Sequence, residues 1–223
     1  GSADEILTRL ENVYQVKVVK DWGFRNSFLG ILGSCRWQEG DWTILELGIL
    51  ERGISELGER MGSADAFVRN IGEVTISQNR ISDRGLTSAH RIKFTDGPVS
   101  IDEWTVVREL GHAWDKNNDE ELSRGLQDFT EGSTNWLAGV VKRLRGECDQ
   151  DRRLPGCNSA GYFYEGIPPA GSDTRFNREE DFAESVAAYV YPDVAQLRVE
   201  RYRFSAEYGE LLYYPDYRQT PRW

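Results

Sequence analysis

At 223 residues the chain can bury a sizeable core, in one or two lobes, without disulfides or metal to hold it together. A hydrophobic fraction of 39%, an aromatic fraction of 12% and seven tryptophans exclude a disordered chain. The net charge of −10 argues against nucleic acid and anionic membrane as partners, and no apolar run approaches the roughly 20 residues of a membrane span.

The leading Gly1-Ser2 has the look of an expression scar. Residues 13–19, VYQVKVV, alternate in part and are rich in β-branched side chains, which predicts a strand. Residues 43–61 place Leu47, Leu50, Ile54, Leu57 and Met61 at steps of three and four. That spacing predicts an amphipathic helix with one core face, in spite of its glycines. EVTISQN (73–79) and HRIKFT (90–95) predict two further strands, with turn residues in ISDRGLTS between them. Asp96-Gly97-Pro98 ends the second strand. Ser100, with Glu103 three residues on, then has the form of a capping box opening a helix.

Residues 119–145 predict one or two helices broken near Gly132, and 146–177 an irregular region rich in Gly, Pro, Asp and Arg. Such a region exceeds the ~15 residues usual for a structureless loop, which points to a functional reason. NREEDFAESVAAYVYPD (177–193) predicts a strong helix stopped by Pro192, and a helical tail follows from 194 to about 212. Of the three cysteines, Cys148 and Cys157 bracket the polar stretch CDQDRRLPGC with its Pro-Gly turn, and Cys35 stands apart. The preferred reading is a small disulfide loop, which implies an oxidising compartment and a secreted or extracellular protein. In the cytosol both would be thiols. Their spacing excludes a C-x2-C zinc site.

The stretch WTVVRELGHAWD (104–115) falls on the helix opened near Ser100. A helix advances about 100° per residue, so positions 108 and 112 lie about 40° apart on one face, with 109 at its edge. Zinc peptidases place His at the first and last of these positions to hold the metal. A Glu follows the first to take a proton from the bound water. Here Glu109 and His112 stand in that pattern. Arg108 does not, because a guanidinium stays protonated and offers no lone pair. Taken alone, His112 reads as a helix histidine hydrogen-bonded near the core. The second helix changes the balance, since Glu180 and Glu184 lie one turn apart on one face while Phe182, Val186, Tyr189 and Val190 supply apolar contacts.

VVRELGHAWD followed by EEDFAESVAAYV resembles the Glu-type zincins, especially the anthrax-lethal-factor-like and related bacterial zinc-dependent metallopeptidases. The resemblance covers about 25 residues in two helices; elsewhere only the order of elements agrees. It implies an α+β, zincin-like fold: a small N-terminal β-sheet with helices over about 1–117, then a mainly helical C-terminal lobe over about 118–223. The cleft would lie between them, with the 104–115 helix as its floor. The resemblance further implies zinc held by His112 and Glu180, with Glu109 as general base. Glu184 corresponds to the acid supporting the first ligand and Asp115 to the acid closing the first motif. Tyr164, or Tyr162, is a candidate for the hydroxyl aimed at an oxyanion, though both read first as packing aromatics.

Arg108 stands where the family has its first histidine. His90, the other histidine, reads as a strand residue with a polar contact rather than a replacement. The expectation is therefore weak or absent zinc and negligible hydrolysis of peptide bonds. A companion expectation has Arg108 forking across Glu180 or Glu184 in place of the ion. The alternative to a damaged peptidase is a pseudopeptidase that binds a peptide or protein in the same cleft. An unrelated helical binding domain with an accidental motif is a third possibility, disfavoured by the two matched helices.

Overall fold

The protein is represented by a computed structural model, which describes residues 2–20, 22–23, 38–39, 42–79, 85–95, 101–129, 132–148, 155–163, 177–191 and 193. Cys35, Ser100, Tyr164, the hinted tail from 194 and most of 146–177 lie outside the described residues. The chain divides into two compact units, Gly1–Asn117 and Asn118–Trp223. Together they make a mixed α+β protein.

The first unit runs α1 (Ala3–Tyr14), β1 (Val16–Lys20), a short ribbon of β2 (Trp22–Gly23) and β3 (Gln38–Glu39), then α2 (Ile44–Arg60) and α3 (Ala64–Ile71). It continues with β4 (Val74–Asn79), β5 (Gly85–Ser88), β6 (Arg91–Thr95) and α4 (Glu103–Asn117). The sheet has the order β1-β4-β6-β5, in which β1, β4 and β6 are parallel and β5 runs antiparallel to β6 at the edge. Its register pairs Val16 with Val74 and Ile76 with Ile92. Those side chains and Phe94 are fully buried, so the period-two pattern fixes which face meets the helices.

Helix α2 opens with the capping box of Thr43 and Glu46 and buries Leu47, Leu50, Ile54 and Leu57. Glu46 also accepts from Gln78 Nε2 of β4 at 2.8 Å, tying the helix start to the sheet. Gly53 has a packing reason: a Cβ there would stand 2.9 Å from Val106 Cγ1, so α2 meets α4 at close range.

Four expectations are corrected in this unit. Residues 13 and 14 end α1, and the strand starts at Val16. That helix is capped by Ser2, whose side chain accepts from Glu5 N while Glu5 reaches back to Ser2 N. Gly85–Ser88, read as turn, is strand β5, and its two-residue link to β6 is Ala89-His90. His90 therefore sits exposed on a hairpin tip, with Nδ1 3.4 Å from the Glu73 carbonyl oxygen, instead of opening the strand. Finally, Glu103 is the first residue of α4 rather than the third position of a capping box, and Asp102 Oδ1 accepts from Thr105 N at 2.7 Å.

The second unit consists of α5 (Glu121–Phe129), β7 (Ser133–Thr134), α6 (Trp136–Leu144), β8 (Tyr162–Phe163) and α7 (Arg178–Val190). Strand β8 falls within the region expected to be irregular and pairs antiparallel with β7, which lies in the stretch expected to be helical. The break expected near Gly132 falls between α5 and α6. Helix α7 is capped by Asn177 and buries Phe182, Ala183, Val186, Ala187 and Val190. Cys148 and Cys157 form a disulfide with Cα atoms 5.5 Å apart. Among the described residues no helix is long and apolar enough to cross a membrane.

Candidate functional site

Helix α4 is the buried centre of the first unit. Trp104, Val106, Val107, Leu110, Ala113 and Trp114 are all in the core, and the polar motif residues sit among them. Its C-terminal end is fixed by Lys116 Nζ, which donates to the Thr87 carbonyl oxygen, and by Asn117 Nδ2, which donates to that of Ile71. A helix held at its cap and its last turn presents its middle turns in a fixed orientation.

Glu109 is 2% exposed, and both of its oxygens are engaged. Oε1 accepts from Arg108 Nη1 at 2.6 Å, and Oε2 accepts from the Thr87 hydroxyl at 2.5 Å. The first is a charge-assisted pair between helix neighbours; the second bridges from the edge strand β5. Thr87 thus meets α4 twice, through its hydroxyl and its carbonyl. His112 follows one turn after Arg108 and is buried, as is Asp115. Thr87 was missed by sequence reasoning because it lies in a stretch that reads as turn. Its partner Glu109 is 22 residues away.

The chemistry open to these groups is narrow. A general base needs a lone pair facing the proton it removes, and one acceptor position on each Glu109 oxygen is taken, by Arg108 and by Thr87. Arg108 brings a permanent positive charge to a ligand position and cannot itself coordinate. Zinc as the family resemblance implies it therefore does not fit the residues of this helix: one ligand is replaced by a cation, and the base is held by that same cation. Among the described residues no cluster of three or more His, Cys, Asp or Glu side chains is placed to hold a metal ion.

In the second unit, Glu180 is half-buried and its backbone N–H donates to Asn177 Oδ1 at 2.9 Å, while Glu184 is 8% exposed. Between them lies Asp181, fully buried, whose Oδ2 accepts from the Tyr162 hydroxyl at 3.0 Å. The packing role thus fits Tyr162 and its buried ring. Asp181 was overlooked because three acids in the first turn of a helix read as a solvated, dipole-favoured end. Arg178 bridges Glu120 at 2.7 Å and Glu179 at 2.9 Å. Burial pulls its pKa down, but the hydrogen bond to Glu120 and the charge of Glu179 outweigh this, and the guanidinium ends above its ordinary value.

Comparison of the chain with protein-family models, characterised proteins and solved structures found no match.

Proposed function

We infer that this chain is a zincin-like domain that has given up peptide hydrolysis and binds an extended peptide or protein segment. The observation that carries this reading is the clasp on Glu109, whose two oxygens accept from Arg108 and Thr87. In this reading the carboxylate serves as a structural acceptor, tying α4 to β5. In this proposal Arg108 replaces the metal's positive charge, and His112 and Asp115 remain as buried helix residues. Glu180, Glu184 and Tyr164 remain as the other positions of the family pattern.

The binding half of the proposal rests on β5. It is an antiparallel edge strand, paired with β6 on one side and with no strand on the other among the described residues. An edge of this kind offers main-chain donors and acceptors to an extended peptide. Thr87 fastens it to α4, so the edge is presented rigidly and less ordering is needed on binding.

The test is incubation with an unfolded, alkylated polypeptide, followed by mass spectrometry for new termini and for hydrogen exchange at residues 85–88. The expected result is slowed exchange along β5 with no cleavage. Cleavage that disappears in Glu109→Gln would overturn the loss of hydrolysis. Unchanged exchange on β5 would overturn the binding edge.

A further inference from the structure

The second unit carries a continuous line of contacts from the disulfide to the acidic helix. Cys157 is fully buried, whereas Cys148 is only half-buried, which makes Cys148 the more accessible end of the disulfide. Beyond the disulfide, the chain is tied to α6: Lys142 Nζ donates to Pro155 O at 2.9 Å and Arg143 Nη1 to Asn158 O at 2.6 Å. Gly156, with φ of 79°, lies against the Phe163 ring so closely that a Cβ would stand 2.3 Å from it. Asn158 then grips Tyr162 twice. Its Nδ2 donates to the Tyr162 carbonyl at 3.0 Å and its Oδ1 accepts from Tyr162 N at 2.8 Å. Tyr162 in turn donates its hydroxyl to buried Asp181 on the first turn of α7.

The geometry points to a redox-sensitive staple: the Cys148–Cys157 disulfide holds the 155–163 turn in the form that lets Tyr162 anchor α7 through Asp181, and reduction loosens that helix. Cys157 lies inside the 155–163 turn, next to Asn158, so the cross-link holds the turn beside the residue that grips the tyrosine. A carboxylate in a fully buried position depends on its donors, so withdrawing the Tyr162 hydroxyl is felt by the helix that bears Asp181. Glu180 and Glu184 flank Asp181 on that helix, so their placement follows the redox state.

The step is thiol–disulfide exchange with a dithiol reductant. One thiolate of the reductant attacks the Cys148 sulfur, the S–S bond breaks, and Cys157 leaves as a thiolate that takes up a proton. The second thiolate of the reductant closes its own disulfide and releases Cys148, which is protonated in turn. Two electrons and two protons pass from the dithiol to the two cysteines.

Hydrogen exchange of the α7 amides in the full chain, before and after dithiothreitol, tests the coupling, with the α2 amides as internal reference. The expected result is roughly tenfold or greater acceleration in α7 with α2 unchanged. Oxidised Tyr162→Phe should show the same acceleration in α7, and the double variant C148S/C157S should match the reduced protein. Three results would overturn the staple: α7 protection unaffected by reduction, α2 and α7 losing protection together, or Tyr162→Phe leaving α7 as protected as before. These contacts all lie in the second unit, so their failure leaves the peptide-binding proposal standing.

Discussion

Arg108 and Glu109 are neighbours in sequence, about 100° apart around the helix, yet the long arginine side chain folds back to meet the carboxylate at 2.6 Å. The pair is nearly buried, with 19% exposure for the arginine and 2% for the glutamate. Breaking such a pair from one side strands the other charge. Arg108→Ala is expected to cost roughly 1–3 kcal/mol in urea denaturation. Glu109→Gln in the same background should recover part of that loss, with a coupling of about 1 kcal/mol or more. Strict additivity of the two changes would show that the contact contributes nothing. Thr87→Val removes the other donor to Glu109 and belongs in the same series. The sequence exposes the identity of Arg108 as a misfit, because a guanidinium has no ligand chemistry. It does not expose the contact with Glu109, which side-chain rotamers decide, nor the second donor to Glu109, which comes from a strand 22 residues upstream.

Among the elements, close helix packing makes the sharpest demand. Gly53 lets α2 approach α4, and Gly53→Ala would drive a methyl group to 2.9 Å from Val106 Cγ1. A loss of roughly 1–3 kcal/mol is expected by denaturant titration. Gly48→Ala, on the same helix, would meet nothing closer than the Arg52 guanidinium at 3.4 Å. That substitution should be neutral or stabilising by about 0.5–1 kcal/mol. Equal effects at both glycines would remove the steric account. Helices α2, α4 and α7 and strands β4 and β6 are readable from the sequence because their apolar periods are long and matched by caps or breakers. Strand β5 is not, since Gly85-Leu86-Thr87-Ser88 is short and carries turn-type residues; tertiary pairing with β6 overrides them. Helix α1 escapes notice because only Ile6 and Leu10 of its twelve residues are buried. The Tyr162–Asp181 contact is likewise invisible in one dimension, since it links β8 to a helix residue 19 positions on.

The chain as a unit of function is an acidic α+β protein whose first unit carries a sheet beside the motif helix and whose second carries the acidic helix α7. Its chemistry turns on one position. If Arg108 has displaced a metal ligand, histidine there returns a ligating nitrogen one turn before His112 and frees Glu109 Oε1, while Thr87 still holds Oε2. Zinc content after dialysis against buffered zinc decides this, comparing the unmodified chain, Arg108→His and Arg108→His with His112→Ala. We predict no retained zinc in the unmodified chain, about one zinc per chain in Arg108→His, and weakened retention when His112 is also changed. Stoichiometric zinc in the unmodified chain, or none in Arg108→His, would contradict the kinship with zinc peptidases as it is drawn from these residues.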